Sequence, residues 1–327
     1  MRVRVAIAGL LLSSVCFGAE APPRPYPCYR PSVAPVVDGD VALDPAWEAI
    51  PSVTGFRVLG GGYTEAKQTT AQASWDDEAF YVAMVCEEPD AAQLKPVTRD
   101  GGPTWLEDSV EIFLQPKPPG QTYQFGVTAG GAKGGFEGNP DIWQCQTAAK
   151  IGPDSYSIEL RIPFAVVSTR PVAGDRWLVT FCRNIFTITS GGDKFTNWAP
   201  LQTRFFEPEH FLPIVLMAET PDAASAAKVT EQLNAPYRAT LIGKLRAAAA
   251  AGREYTKDLA EASQDARFAD QARDLLRQWQ DIERVNRQAA KASLPEVRKA
   301  IRTMTTLAKT SYEVKYEYLI TKLVDGE

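Results

Sequence analysis

One short segment, PTWLEDSVEIFLQP at positions 103–116, combines a tryptophan with three acidic residues. Its second half alternates apolar and other side chains as a half-buried strand does, and Glu111 falls in the middle of that alternation. Trp105, Glu107 and Asp108 come just before it. Carboxylates beside an aromatic ring can serve acid catalysis, metal binding or ligand recognition. Each of these functions requires a different arrangement of the side chains.

Acid catalysis requires a second carboxyl group close to the first. A glycosidase places two of them about 5 to 9.5 Å apart on the same side of the substrate. On one strand face, the Cα atoms of Glu107 and Glu111 would be separated by about 13 Å, and Asp108 would face the opposite side. The sequence also contains no GxSxG motif and no phosphate-binding loop. We therefore expect a non-catalytic protein, at most an accessory module of a glycoside-hydrolase system.

Sugar recognition agrees better with this segment. An indole ring stacks against the apolar C–H face of a sugar, and a neighbouring carboxylate accepts hydrogen bonds from the sugar hydroxyls. Trp105 and Glu111 supply these two groups on a predicted sheet face. The alternative is that Trp105 belongs to the core and that Glu111 is an ordinary solvated strand residue.

The histidine and cysteine content argues against a zinc site, since the chain has one histidine, His210, and no CxxC motif. Four cysteines lie after residue 21, namely Cys28, Cys86, Cys145 and Cys182. In an oxidising compartment they allow two disulfides in three pairings, and we predict at least one. The alternative is that Cys86 and Cys182, which lie in apolar strand patterns, are buried thiols.

Residues 1–21 have the layout of a secretory signal peptide. Two arginines precede an apolar run at positions 5–17, and small residues follow it. The run is too short for a stable membrane anchor. We predict cleavage after Gly18 or Ala21, export to the periplasm or the extracellular space, and no transmembrane segment in the mature chain. Lipid anchoring through Cys16 is less favoured, because the residues before it form a poor lipobox.

Composition changes near Pro221 and divides the chain into two regions. The part up to that residue holds 20 of the 23 glycines and carries a net charge of −8, whereas the remainder carries +3. An acidic first region argues against binding of nucleic acid, which relies on clustered lysine and arginine. We predict a folded domain at residues 22–220 and a separate region at residues 221–327.

The region before the boundary predicts β-strands separated by Gly, Pro, Asp and Asn. The strand-like runs are AQASWDD, AFYVAMV, DSVEIFLQ, TYQFGVTAG, SYSIELRIP and RWLVTFCRN. In the fifth run, apolar side chains share one side of the strand, and these are Tyr156, Ile158, Leu160 and Ile162. Many short strands without intervening helices predict a mainly β fold, built as an antiparallel β-sandwich.

The region after the boundary predicts α-helices. One amphipathic stripe consists of Leu275, Leu276, Trp279, Ile282 and Val285. A second helix is predicted to begin at SLPE, where Ser293 can cap the helix and Glu296 can bond back to it. We expect a helical hairpin or small bundle that acts in packing or as a spacer. Contact with a partner protein is the alternative.

Five segments resemble one known family. They occur in the order typical of family 9 carbohydrate-binding modules, within the DOMON-like group of β-sandwiches, and together cover about residues 33–217. The segments are PVVDGDVALDPAW (35–47), ASWDDEAFYVAMVCEEPD (73–90), WLEDSVEIFLQP (105–116), YSIELRIPF (156–164) and TNWAPLQTRFFEPEHF (196–211). The resemblance implies an immunoglobulin-like or DOMON-like jelly-roll sandwich, and it implies a carbohydrate ligand in carbohydrate catabolism.

The resemblance also implies site residues. In the family, two tryptophans sandwich a terminal sugar, and an acid in the VEIF strand accepts hydrogen bonds from the sugar hydroxyls. The matching positions are Trp105, Trp198 and Glu111. The arginine that the family uses on the next strand would fall near Gly126.

Because glycine has no such side chain, other residues must compensate for the missing arginine. The candidates in this sequence are Gln124, Asn197 and Arg204.

Three further expectations follow from the resemblance. Asp38, Asp44 and Trp47 match the opening motif, where we favour a structural role. Some family members bind calcium, so a Ca²⁺ ion is an open alternative, although no EF-hand-like loop is present. Some DOMON-like sandwiches carry haem for electron transfer, and Met84 and His210 are the residues that could act as axial ligands in that alternative.

Overall fold

The computed structural model describes residues 24–135, 140–188 and 193–326, with only the backbone of residues 140 and 141. The predicted signal peptide and Cys16 lie outside these ranges, so export and lipid anchoring stay predictions. Within the described ranges, thirteen strands form two sheets, and three α-helices follow them. The predicted fold class, a β-sandwich followed by a helical region, is confirmed.

The larger sheet contains eight strands. They are β1 (Tyr26–Cys28), β13 (Leu212–Leu216), β11 (Arg176–Asn184), β6 (Ser109–Gln115), β7 (Tyr123–Thr128) and β8 (Lys133–Gly134) in spatial order, with β12 (Phe195–Asn197) beside β11 and β3 (Arg57–Val58) beside β12. The pairing is antiparallel except between β1 and β13. The loops that follow β12 therefore lie next to the centre of this sheet.

The smaller sheet contains five antiparallel strands and packs against the larger one. In spatial order they are β2 (Ser52–Val53), β4 (Thr69–Trp75), β5 (Ala79–Glu87), β10 (Ser155–Pro163) and β9 (Gln146–Ile151). The four apolar residues predicted to share one side of β10 all enter the core between the sheets. From β6, the residues that enter this core are Val110, Ile112 and Leu114.

Because side chains alternate along a strand, the intervening residues of β6 lie on the outer face of the larger sheet. Glu111 is in register with Cys182 on β11 and with Gly126 on β7. The outer face is itself covered by a second apolar cluster, which consists of Phe113, Cys182, Ala199, Leu201, Phe211 and Leu212. Glu111 therefore lies on a face that the chain between β12 and β13 covers.

A buried ionic cluster lies on the inner side of the sandwich, at one end. Glu88 follows β5 and is fully buried, with 0 % of its surface exposed. Its carboxylate accepts hydrogen bonds from Lys67 Nζ (2.6 Å), Arg183 (3.0 Å) and Thr187 Oγ1 (2.9 Å). A carboxylate that two cations neutralise can be buried at a much smaller cost than an isolated one.

The opening motif closes the outside of the smaller sheet. Trp47 donates from Nε1 to the buried carboxylate of Glu159 (2.8 Å), which also accepts from the backbone of Asp38 and Gly39. The side chain of Asp44 caps the short 3-10 helix that contains Trp47. These contacts agree with the structural role that we favoured for this motif.

Three helices form the region after the boundary: α1 (Ala223–Ala262), α2 (Ala269–Arg287) and α3 (Leu294–Asp325). They enclose an apolar core of their own. The predicted capping box at Ser293 and Glu296 is present at the start of α3. Within the described residues, none of the helices has the length and apolarity needed to cross a bilayer.

The helices dock on the sandwich through specific polar contacts. Asn234 of α1 accepts from the backbone N–H of Thr54 (2.8 Å) and donates to the carbonyl of Ser52 (3.1 Å). Arg298 of α3 forms a bidentate ion pair with Glu87 at the end of β5. Whether residues 22–220 fold without these helices stays a prediction.

The four cysteines that follow the predicted leader are all buried, and no disulfide joins them in the part of the chain that the structure describes. The prediction of at least one disulfide is therefore not met here. Cys86 lies in the core between the sheets, whereas Cys182 belongs to the apolar cluster on the outer face of the larger sheet. A sheet thus lies between them, and the alternative of buried thiols describes both.

Candidate functional site

An open cleft with a volume of about 310 Å³ lies on the outer face of the larger sheet. Its lining combines one carboxylate, one guanidinium and one amide with aromatic and aliphatic side chains. The lining residues are Leu59, Trp105, Leu106, Glu111, Phe113, Asn184, Phe195, Arg204, Phe205 and Phe206. Three of the predicted site residues, Trp105, Glu111 and Arg204, are therefore brought together.

Glu111 forms the floor of this cleft and is only 2 % exposed. It accepts a hydrogen bond from Asn184 Nδ2 (2.8 Å) and another from Gln124 Nε2. Burial raises the pKa of Glu111, although these two hydrogen bonds act to lower it. Two amide donors do not use the full capacity of a carboxylate, which has about four lone-pair directions. The remaining capacity is available to a ligand in the cleft.

Gln124 supports the site although it does not line the cleft. It is in register with Phe113 on the neighbouring strand, so its side chain lies on the same outer face as Glu111. Asn184 Nδ2 donates hydrogen bonds to the carboxylate of Glu111 and to the hydroxyl oxygen of Ser109 (3.0 Å). These two bonds fix the direction of its amide. Together the two amides orient the carboxylate.

The 3-10 helix Thr104–Leu106 carries Trp105 to the cleft. Its Thr104 packs directly over Gly126, where a Cβ atom would meet Thr104 Oγ1 at 2.0 Å. The hydroxyl of Ser109 donates to the carbonyl of Thr104 (2.6 Å) and anchors this turn to β6. The position where the resemblance implies an arginine is therefore closed here, because Thr104 occupies the space above Gly126.

Glu207 organises the loop that carries Arg204. Its carboxylate accepts from the backbone N–H of Gln202 (2.7 Å), Thr203 (2.8 Å) and Arg204 (3.3 Å), and from Thr203 Oγ1 (2.6 Å). Burial acts to raise the pKa of Glu207, but these hydrogen bonds outweigh it and lower the pKa to about 2. The loop is thus held by an ionised carboxylate at neutral pH.

Phenylalanines form the wall of the cleft that faces the solvent. Phe206 contacts Phe113 edge to face, with ring centroids 6.1 Å apart, and Phe195 contacts Phe205 in the same way at 6.2 Å. Phe195 and Phe206 remain substantially exposed. Sequence reasoning missed these rings and Asn184, although the adjacent phenylalanines next to Arg204 were a usable signal.

The structure places Trp198 and Asn197 outside the cleft. Asn197 is fully buried and donates to the carbonyl of Ala199. Trp198 contacts core residues, with its ring centroid 5.6 Å from Phe181 and 6.4 Å from Tyr26. It lines a separate pocket between the sandwich and α1.

The reason lies in the strand register. Asn197 is the residue of β12 that is in register with Cys182 on the outer face, so the next residue, Trp198, turns toward the other sheet. A slot with Trp105 on one side and Trp198 on the other is therefore not formed in this structure.

The cleft does not combine groups for the other chemistries considered. Among the described residues that line it, Glu111 is the sole carboxylate, so no second acid lies beside it. In the ranges that the structure describes, no three His, Cys, Asp or Glu side chains cluster as metal ligands would. Met84 is buried in the core between the sheets, whereas His210 lies beside Glu207 on the outer loop. These two residues do not share a haem site.

Three solved structures are similar to the sandwich. Two of them are of a family 9 carbohydrate-binding module from Caldicellulosiruptor kristjanssonii, which is 23% identical to this chain. The complex with cellotriose matches 59% of this chain and 94% of that chain, with a TM-score of 0.44. The complex with glucose matches 59% of this chain and 97% of that chain, with a TM-score of 0.46. A putative carbohydrate-binding protein from Bacteroides uniformis is 14% identical (58%, 97%, TM-score 0.46). The comparison with curated proteins found no match.

The sequence profile of one family matches more than half of the chain. It is described as "carbohydrate family 9 binding domain-like" and covers residues 37–217. This range contains both sheets from β2 to β13 and every residue that lines the cleft. The chain therefore belongs to the carbohydrate family 9 binding domain-like family.

Proposed function

We propose that the protein is an exported, non-catalytic carbohydrate-binding protein that holds a sugar in the cleft above Glu111. The observation that carries this proposal is the buried carboxylate of Glu111, which accepts hydrogen bonds from the amides of Asn184 and Gln124 and lies at the floor of an aromatic cleft. Such a group is an oriented acceptor, and sugar hydroxyls are donors that match it. Family membership supports the same class of ligand.

In this proposal, each side chain has a physical role. The apolar face of the sugar ring stacks on Trp105, and the hydroxyls at its edge donate to Glu111. Arg204 lines the cleft and donates hydrogen bonds to the oxygen atoms of the ligand. It compensates for the arginine that the resemblance implies near position 126, where this chain has glycine. Phe206 packs against the remaining apolar surface. No step of covalent chemistry is required.

We also propose that this binding serves carbohydrate catabolism. Recognition of poly- or oligosaccharide outside the cytoplasm suits a role in carbohydrate catabolism, as an accessory to glycoside hydrolases. The helical region, which is docked on the sandwich through Asn234 and Arg298, would set the orientation of the sugar site relative to a partner.

A glycan array followed by calorimetric titration tests the proposal. The mature chain is applied to an array of neutral and acidic glycans, and glucose and cellotriose serve as the first soluble probes. We expect binding of neutral glycans with micromolar or weaker affinity, since few groups contact the ligand. If the parent protein retains no glycan on the array and shows no heat with either probe, the proposed function fails.

A further inference from the structure

A second indole is presented near the cleft by an anchored turn. Trp143 lies in the 3-10 helix Pro140–Gln144 and is 50 % exposed. Its neighbour Ile142 is buried in the core between the sheets. On the other side, Lys133 Nζ donates to the carbonyl of Trp143 (3.2 Å) and to that of Cys145 (2.7 Å). The backbone is thus fixed while the indole faces solvent.

The loop at residues 101–105 crosses the outer face of the larger sheet, between this indole and the cleft above Glu111. Glu111, Gly126 and Gly134 are in register on β6, β7 and β8, at about 4.8 Å per strand. Thr104 packs over Gly126, and the carbonyl of Gly102 packs over Gly134, where a Cβ atom would meet it at 2.4 Å. The loop therefore runs across the strands, away from Glu111.

The two indoles lie at opposite ends of this loop. Trp105 is at the end next to Glu111, and a Cβ atom at Gly101 would lie 3.8 Å from the ring of Trp143. Four residue steps separate Gly101 from Trp105, so the loop spans at most about 14 Å. Between them, an added Cβ at Gly102 would meet no described atom within 4 Å, so the surface there is open.

We propose that Trp143 is a second stacking platform for the same ligand, and this inference rests on the proposed function. A single sugar ring on Trp105 covers one end of this loop, whereas a chain of sugars that continues over Gly102 also approaches Trp143 at the other end. Asp100 and Lys133 flank the path and are linked by the hydrogen bond from Lys133 N to Asp100 Oδ1 (2.9 Å). The site therefore binds an oligosaccharide or polysaccharide chain more tightly than a monosaccharide.

The dependence of affinity on chain length tests this inference. The full mature chain is titrated with glucose, with cellotriose and with longer β-1,4-linked glucose chains. For the parent protein, we expect affinity to rise with length. Trp143→Ala should leave the affinity for glucose unchanged and weaken the longest chain by about three- to tenfold. Trp143→Phe, which keeps an aromatic face, should recover part of that loss.

Tyr312→Ala provides a matched control, because Tyr312 is equally exposed (51 %) but lies on α3. It should change no affinity. If Trp143→Ala binds every length as the parent does, the second platform is excluded while the proposed function stands. If the parent binds glucose and the long chains equally, the inference is likewise excluded. If the parent protein binds neither glucose nor any of the longer chains, the proposed function and the inference both fail.

Discussion

Two buried glutamates on the two sides of the same sandwich show different uses of one side chain. Glu88, on the inner side at one end of the sandwich, forms ion pairs with Lys67 and Arg183, so cations neutralise its charge. Glu111, on the outer face, is bonded by the amides of Asn184 and Gln124, and no cation forms an ion pair with it among the described residues. Both are almost completely buried.

From this difference we infer that Glu88 serves the fold, and we propose that Glu111 serves a ligand. A buried carboxylate with ionic partners has satisfied its charge within the protein, and removing it leaves buried cations unpaired. A buried carboxylate with only neutral donors keeps part of its accepting capacity, at a cost that raises its pKa. Three substitutions and a change of pH test this difference between Glu88 and Glu111.

The largest effect is expected at the inner glutamate. Glu88→Gln leaves the fully buried Arg183 without the carboxylate that pairs with it and removes one of the two carboxylates that pair with Lys67, so the free energy of unfolding should fall by about 3–5 kcal/mol in urea titrations. The folded fraction should still bind sugar. Asp90→Asn is the control, because Asp90 pairs with Lys67 (2.8 Å) at the surface and should cost no more than about 1 kcal/mol. Equal effects of the two variants would contradict the structural role of Glu88.

The next effect concerns Trp105 and sugar affinity. Trp105→Ala removes the proposed stacking surface from the lining of the cleft, and we expect binding to weaken by about 2 kcal/mol or more in calorimetric titrations. The melting temperature should change little, because the ring is only partly buried on a 3-10 helix at the surface. A variant that unfolds instead would show that Trp105 belongs to the core.

A smaller effect is expected from neutralising the outer glutamate. Glu111→Gln keeps the shape of the side chain but replaces a charged acceptor with a neutral one, so sugar binding should weaken by about 1 kcal/mol. Glu159→Gln is the control, since Glu159 is equally buried but contacts Trp47 outside the smaller sheet. It should leave sugar affinity unchanged. Equal losses from both variants would indicate a general effect on the fold.

The smallest effect is a pH dependence with opposite signs for binding and stability. Because burial raises the pKa of Glu111, this carboxyl group binds a proton more tightly in the folded state than in the unfolded state. The contribution of Glu111 to stability is therefore present at low pH and lost as pH rises through its folded pKa. In the proposed site the ionised carboxylate accepts the hydrogen bonds of the sugar, so affinity should fall on acidification at a pH above the ordinary glutamate pKa. Titrations of the parent and of Glu111→Gln should show this fall only in the parent.

Much of the sandwich could be predicted because strand alternation is a local property. The apolar residues of β6 and β10 point inward as the sequence indicated, and Glu111 was placed correctly on the opposite face. The region that contains α1 was predicted to be helical, but α1 itself was not delimited, since its many alanines form no clear amphipathic stripe and Pro236 interrupts the pattern. Its buried positions, such as Tyr237 and Leu241, are defined by packing against α2, α3 and the sandwich.

The candidate site could be predicted only in part. Trp105 and Glu111 belong to one short motif, so their relative position depends on few residues. Trp198 belongs to a chain segment that meets the sheet through β12, where a shift of one residue changes the face to which a side chain points. Asn184 needed the pairing of β11 with β6, which sequence alone does not give.

A crystal structure with a bound sugar tests the central claim most directly. The mature protein is crystallised with the neutral oligosaccharide that binds best on the array, and the position of the ring is compared with the two pockets that contain Trp105 and Trp198. The account predicts a sugar ring on Trp105, with a hydroxyl donating to the carboxylate of Glu111. A sugar bound in the pocket of Trp198, with the cleft above Glu111 empty, would contradict it.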